Sequence, residues 1–241
     1  MKTEIYPGIE IIDLALWLPK QRILAFSDFH IGYEDALNAR GILIPKYQLA
    51  DTLERIKKIF TVLGRKPKTI IINGDLKHEF STVNKEEFFG VKDLLNLLAK
   101  NCEKIIIIKG NHDTILNYAK RVKVEIKEYF LIDNILFAHG DNIVNVDSKY
   151  AKIIVVGHGH PTLKLSDGFI SEKVKCFLKG KWKGKVLIMQ PSFNLVTEGA
   201  DILLEEGKLP LSYSKAVRNW EAWAIPKFNK VLYFGEIKNL L

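Results

Sequence analysis

Cysteine is scarce: the 241-residue chain has two, Cys102 and Cys176. They can form one bridge at most, and neither stands in a CxxC or other metal-ligand spacing. A disulfide-built scaffold and a thiolate zinc site are therefore both unexpected, and reduced buried thiols in a cytoplasmic protein are the expectation. Methionine occurs twice and glutamine is scarce, whereas lysine and isoleucine abound. That balance is seen in heat-adapted proteins, where ion pairs lose less to desolvation. Long apolar runs are missing too. The apolar stretch within residues 1–20 follows Glu4 and Glu10 and is broken by Asp13, which suits neither a signal peptide nor a spanning helix. Low-complexity tracts and internal repeats are absent, so neither a disordered chain nor a solenoid is indicated.

What is present fits a globular chain with one substantial core: 47% hydrophobic and 27% charged residues in a length that one domain, residues 1–241, can fill. The net charge of +8 is unevenly placed. From Lys164 to Lys185, seven lysines face only Asp167 and Glu172, a local +5. Such a segment can attract phosphate-rich partners. Its tip, Lys179 to Lys185, alternates lysine with Gly180, Trp182 and Gly184. The tip reads either as phosphate contacts with one stacking surface or as a solvated hairpin whose lysines protect a sheet edge.

Along the chain, Arg22–Ser27, Thr69–Ile72, Ile105–Ile108, Ile135–Ala138 and Ile153–Val156 are short, apolar and rich in β-branched residues, the pattern of strands covered on both faces. One helix is predicted through Leu49, Leu53, Ile56, Phe60 and Leu63, opened by Pro45 and closed by Gly64. A second should run from Lys85 to Ala99, with Asn84 as N-cap and Glu87 in the capping-box position. After Pro161 the strand-like pieces shorten, among them Lys185–Met189 and Val231–Phe234, as for a second, more antiparallel sheet.

Each early strand is followed at once by polar residues: Asp28 and His30, Gly74-Asp75, Gly110-Asn111-His112-Asp113, His139-Gly140-Asp141, and Gly157-His158-Gly159-His160. Open α/β sheets hold ligands at such strand ends. All six histidines of the chain, His78 included, lie in or beside these clusters. Imidazole with carboxylate and amide oxygen, and no thiolate, suits Mn, Fe, Zn or Ni. A carboxylate such as Asp75 has two oxygens and can bridge two cations while leaving positions open for water and substrate. Asp113 can orient His112 or cap a following helix at Thr114, Asp141 reads as structural, and Tyr33 and Arg40 read as loop residues that do surface work or face substrate.

In order, spacing and residue type, the motifs from Asp28 to His160 resemble the five-motif signature of the calcineurin-like metallophosphoesterases. More narrowly, Asp28-Phe29-His30-Ile31-Gly32-Tyr33-Glu34 and Gly74-Asp75-Leu76-Lys77-His78 are similar to the first two motifs of SbcD-type nucleases, and the chain to small archaeal SbcD-related phosphoesterases. The resemblance implies a four-layer α/β sandwich of two mixed sheets with helices outside. It implies two divalent metal ions, Mn first among them. Asp28, His30, Asp75 and His160 would hold one, and Asp75, Asn111, His139 and His158 the other. Water activated between the cations would attack phosphorus while His112, off the metals, serves the leaving oxygen. His78 stands where phosphoprotein phosphatases carry an aspartate followed by an arginine, which argues against phosphoprotein substrates and leaves it a positioning role. Sparse arginine around the motifs favours a phosphodiester, on nucleic acid or nucleotides. The alternatives are a phosphomonoesterase or nucleotide hydrolase, and a binding scaffold of this fold that has lost its metals. SbcD-type nucleases also have added DNA-embracing domains and an ATPase partner, for which 241 residues leave little room.

Overall fold

The computed structural model describes residues 3–78, 85–113, 124–141, 149–166, 171–203 and 214–240. The expected N-cap Asn84 and the capping partner Thr114 lie outside them. The chain begins with three antiparallel strands, β1 (Thr3–Tyr6), β2 (Ile9–Ile12) and β3 (Ala15–Leu18), which lead into β4 (Ile23–Phe26). Two-residue turns at Pro7-Gly8 and Asp13-Leu14 reverse the chain, with Gly8 at φ 79° and Asp13 at φ 54°, backbone that suits the right-handed twist of hairpins. The interrupted apolar stretch near the N-terminus is thus a meander, and Asp13 is one of its corners.

The order continues through α1 (Tyr33–Ala39), α2 (Gln48–Leu63), β5 (Thr69–Asn73), α3 (Lys85–Lys100), β6 (Lys104–Ile108) and β7 (Val124–Lys127). Strands β1 to β7 form one sheet in sequence order, antiparallel up to β4 and parallel from β4 to β7. Gly64 closes α2 in the left-handed region at φ 69°, as the sequence predicts. The opening of α2 differs. It starts at Gln48 instead of Pro45, because the Glu34 carboxylate accepts from the Tyr47 and Gln48 amides at 3.0 and 2.9 Å. A distant side chain caps this helix, and its anionic charge suits the helix N-terminus.

The second sheet comprises β8 (Tyr129–Ile132), β9 (Ile135–Ala138), β10 (Ile153–Val156), β11 (Pro161–Ser166), β12 (Ser171–Trp182), β13 (Lys185–Met189), β14 (Ala200–Asp201), β15 (Glu221–Lys227) and β16 (Lys230–Glu236). Strands β9, β10 and β13 are parallel neighbours at its centre, and the antiparallel partners surround them. Everything after Pro161 that the sequence marks as strand joins this sheet.

Side-chain alternation divides the second sheet between two cores. Ile135, Phe137, Ile153, Val155, Phe177 and Ile188 share one core with the first sheet, α2 and α3. Leu136, Ile154, Val156, Leu178, Leu187 and Met189 face the other way, onto Val217, Trp220 and Ile237. The expected sandwich of two mixed sheets is therefore present. Among the described residues its outer layers are unequal: α2 and α3 cover the first sheet, while 3-10 turns at Ser214–Asn219 and Ile237–Asn239 lie over the second. Cys102 and Cys176 are both buried, in different cores. Among the described residues no helix is long and apolar enough to cross a membrane.

Asp13 joins distant parts of the chain. Its fully buried carboxylate accepts from Arg55 Nε and Nη2 at 2.6 and 2.8 Å and from the Asn229 amide at 2.9 Å, tying the N-terminal meander to α2 and to the turn between β15 and β16. Removing one partner of a buried pair strands the other. Asp13→Ala is expected to lower unfolding stability by roughly 2–4 kcal/mol, somewhat under the range for a wholly buried pair because Arg55 is partly solvated. Urea denaturation measures this, and a change under about 0.5 kcal/mol, the scale of an ordinary surface substitution, would show the tie to be dispensable.

Candidate metal centre

Three neighbouring parallel strands from each sheet end at one place. From the first sheet, β4 leads to Asp28 and His30, β5 to Asp75, and β6 to Asn111 and His112; from the second, β9 leads to His139, β10 to His158 and His160, and β13 to Gln190 through Asn194. The two sheets are bonded together there. Asn73 Nδ2 donates to Val155 O at 3.4 Å, Gln190 Nε2 to Ala25 O at 3.1 Å, and the Phe193 backbone amide to Ser27 O at 2.8 Å.

The backbone at the strand ends is strained. Asp28, His30, Asp75, His158 and His160 sit at φ values of 52°, 45°, 43°, 61° and 40°. Non-glycine residues pay on the order of 1 kcal/mol or more for such conformations, which concentrate at functional sites. The gain is direction: each turn sends its side chain back across the strand ends toward the same centre. Close approach also explains two motif glycines. A Cβ at Gly110 would stand 2.2 Å from Asp75 Oδ1, and one at Gly157 would stand 2.0 Å from Ser27 Oγ and 2.5 Å from Asp28 Oδ2.

Three groups of side chains could each hold a cation: Asp28, His30 and His160; Asp75, His139 and His158; and His30, His78 and His112, an all-imidazole group that shares His30 with the first. His160 Nε2 lies 3.3 Å from His30 Nε2 and 3.4 Å from Asp28 Oδ1. His139 Nε2 lies 3.1 Å from both His158 Nδ1 and Asn111 Oδ1. Asp75 Oδ2 stands between the first two groups, 3.5 Å from His30 Nε2 and 3.4 Å from His139 Nε2. Ligands bonded at roughly 2.1 Å to one cation are roughly 3.0–3.4 Å from each other, by the geometry of octahedral and tetrahedral coordination. The observed separations match that spacing. A further sign is His139 Nδ1, which faces Asn73 O at 3.4 Å. A carbonyl can only accept, so that nitrogen keeps the proton and Nε2 is left to ligate, the usual arrangement of a metal-binding histidine. The donor set fits two divalent cations.

His112 stands beside the first two groups, its Nε2 4.0 Å from Asp75 Oδ2 and its amide donating to Asp75 Oδ1 at 3.0 Å. His112 Nδ1 donates to His78 O. The two rings stack, 5.3 Å apart and 24° from parallel, and the Tyr33 ring meets His78 edge-on at 4.8 Å. Tyr33 is thus the first residue of α1, not a loop residue, and it touches the site's rim. Asp113 is buried. Its Oδ1 accepts from the Leu76 amide at 3.0 Å and its Oδ2 from Gly110 at 3.1 Å, fastening the second motif to the third. Glu87, expected in a capping box, accepts from the His78 amide at 3.0 Å.

Residues 190–194 are the part of the site that sequence reading missed. Ser192 Oγ donates to Asp28 O at 2.8 Å and Asn194 Nδ2 to His30 O at 3.4 Å, and both side chains are fully buried. The signal was available: Gln190-Pro191-Ser192-Phe193-Asn194 follows a predicted apolar strand just as the other clusters do, but without a histidine to draw notice.

The Calcineurin-like phosphoesterase family model matches residues 21–213, which include all six strand ends. The chain belongs to that family. It is accordingly a hydrolase acting on ester bonds, in a family that uses divalent metal ions. No curated protein sequence matches it. Among solved structures it is similar to the Pseudomonas putida nuclease MPE, with 19% identity, a TM-score of 0.68, and 97% and 99% of the two chains covered. It is also similar, more distantly, to Yfce, a phosphoesterase from E. coli, at 12% identity and a TM-score of 0.43 over 89% and 98%.

Burial and mutual contact polarise the cluster. Burial, then the neighbouring His160, lowers His30 to about 3. At Asp28 burial acts upward but the charges of His160, His139 and His30 prevail and hold the carboxyl well below its usual range. Burial also opposes the charged form of His139, yet its hydrogen bond to Asp75 and the charge of Asp28 raise it to about 9. In metal-free protein the folded His139 therefore lies above its ordinary 6.5. Its stabilising contribution is complete below pH 6.5 and is lost as pH rises through 9. A cation must displace this proton. Adding Mn to metal-free protein at pH 7.5, with a pH indicator in weak buffer, should release about one proton from this group, and affinity should rise with pH. Metal uptake with no proton released would place the cation away from His139.

Proposed function

We propose that the chain hydrolyses a phosphodiester of nucleic acid or nucleotides with two divalent cations, Mn first among them. One is held by Asp28, His30, Asp75 and His160, the other by Asp75, Asn111, His139 and His158. The observation that carries this reading is Asp75 Oδ2 at the junction of the two groups, 3.5 and 3.4 Å from a histidine of each. The cations, when bound, supply positive charge for the phosphoryl oxygens and make water nucleophilic at neutral pH. Within the family the motifs from Asp28 to Glu34 and from Gly74 to His78 favour the SbcD-related branch. Residues 1–241 act as one unit in this reading, since strands after Pro161 complete the sheet that bears His139, His158 and His160. Two unbridged cysteines suit the cytoplasm.

The protein's own residues then have separable tasks. Asp28 and Asp75 provide the anionic charge. His78 O keeps the proton on His112 Nδ1, so in the imidazolium form Nε2 is the nitrogen that gives a proton to the departing oxygen. His78 acts by position: its carbonyl sets the tautomer and its ring supports the His112 ring. The +8 net charge favours an anionic polymer as substrate.

With Mn, bis-p-nitrophenyl phosphate should be cleaved faster than p-nitrophenyl phosphate. The reverse order would make the protein a monoesterase, and failure to bind Mn or Ni would make it a scaffold. Asp75→Ala should lose both metals by elemental analysis while Asp28→Ala loses mainly one; equal loss would end the bridging assignment.

His112→Ala should keep its metals yet turn over ~10²-fold more slowly. The deficit should be larger for alkyl or nucleoside esters than for p-nitrophenyl esters, whose acidic leaving group needs little protonation. Equal deficits would mean that His112 stabilises phosphoryl oxygens instead, and lost metal would mean that it is a ligand.

A further inference from the structure

The basic segment from Lys164 to Lys185 divides in two once folded. In its second half three of the four lysines, Lys179, Lys183 and Lys185, are engaged by the protein itself, while Lys181 is exposed. Lys179 Nζ lies 2.7 Å from Glu221 Oε2, donates to Ile5 O at 3.1 Å and covers the Trp223 ring at 4.8 Å. Lys183 lies over Trp182 at 4.6 Å and Lys185 donates to Ala151 O. The tip that alternates lysine with glycine is therefore a hairpin turn between two interior strands, fastened to its surroundings.

The first half is different. The register between β11 and β12 sets Thr162 against Lys175 and Lys164 against Lys173, while Leu163 sits against Val174. Alternation then sends Leu163 and Val174 into the core and Lys164, Lys173 and Lys175 to the opposite face. That face and residues Leu195 to Glu198 line a cavity of about 510 Å³, large enough for one or two nucleotides. Like charges directly across a ladder destabilise it, and Lys164 faces Lys173 in this way. Among the described residues the acidic groups at the cavity are Glu198, 3.4 Å from Lys173, and exposed Glu172 at the hairpin's far end. Lys175 donates to Thr197 O at 3.1 Å, and among the described residues neither it nor Lys164 has a carboxylate in ion-pair range. Burial, and after it the charge of Arg55, lowers Lys175 to about 7, a cost that the more distant charge of Asp28 only partly offsets.

Both walls of the cavity begin at the candidate ligands. Strand β11 leaves directly from His160, and the Ala200 amide donates to His160 O at 2.9 Å. Residues 195–198 leave from Asn194, whose side chain holds His30 O. Lys164 is four residues beyond His160, roughly 13 Å along an extended strand, a few phosphates away from a scissile bond at the metal centre.

We infer that Lys164, Lys173 and Lys175 on the β11–β12 face form a binding site for backbone phosphates of a nucleic-acid strand that flanks the bond being cleaved. This rests on the phosphodiesterase reading above and adds to it a site outside the metal centre that selects a polymer over a small ester.

The test measures binding apart from turnover. A fluorescent single-stranded 12-mer is titrated, by anisotropy, onto Mn-loaded protein carrying His112→Ala to slow cleavage, with and without Lys164→Gln and Lys173→Gln. The two lysine substitutions should weaken binding about tenfold or more. They should also reduce the slope of log affinity against log salt by roughly 1.4, the counter-ions that two single-strand contacts release. Lys175→Gln, made separately, should weaken binding in the same direction, and Lys183→Gln at the tip should not. Unlabelled 12-mer should displace the probe where equimolar inorganic phosphate does not. Unchanged affinity in the Lys164/Lys173 variant, no binding by the parent, or equal displacement by inorganic phosphate would each overturn the inference. Failure of the phosphodiesterase reading shows elsewhere, as absent hydrolysis of bis-p-nitrophenyl phosphate by wild-type protein with Mn.

Discussion

The rest of the site depends on how Asp75 is held. Its carbonyl accepts from the His30 amide at 2.9 Å, one carboxylate oxygen accepts from the His112 amide at 3.0 Å, and the other oxygen lies within 3.5 Å of histidines from both sheets. Its backbone is strained to φ 43°, and Gly110 must lack a side chain for the carboxylate to fit. A single buried anion thus fixes the first, second and third motifs relative to one another. It also supplies the charge around which the second sheet's histidines gather. Were it displaced, the strand ends could remain in place and the donor atoms would still lose their common centre.

Such a centre is costly to fold. Asp28, Asp75, His30 and His139 are all nearly inaccessible to water, and five of the seven donors occupy strained backbone. What offsets this is the surrounding core, built from fully buried isoleucines of β5, β6, β9 and β10 and from α2 and α3. Apolar burial is non-directional and large in sum, so it can support a small region where direction matters more than stability. Polar side chains at the seam between the sheets, Asn73, Gln190, Ser192 and Asn194, turn that general stability into position by bonding backbone carbonyls near the donors.

Charge is organised on two scales. Inside, anionic carboxylates and imidazoles bias each other, so that His30 is held neutral while His139 holds its proton more tightly than usual. Outside, lysines of one segment serve two ends. Where carboxylates, carbonyls and aromatic rings meet them they fasten a hairpin tip, and where the strand register turns three of them onto one face they line a cavity.

The sequence by itself determined the parallel strands, since β-branched apolar runs of four or five residues have few other uses. It determined most of the candidate donors as well, because six histidines confined to strand ends are a chemical pattern that needs no coordinates. Strand bounds at β9 and β10 agree with the predicted runs to the residue. What only the tertiary structure decided depends on contacts between residues far apart in the chain. The N-terminal meander and the start of α2 rest on Asp13 and Glu34 reaching partners beyond their own elements. Asp113 and Glu87 fasten motifs to one another across the chain. Residues 190–194 matter through bonds to carbonyls 164 positions away. The two functions of the basic segment follow from strand register, and register is a property of pairing that a one-dimensional count of lysines does not contain.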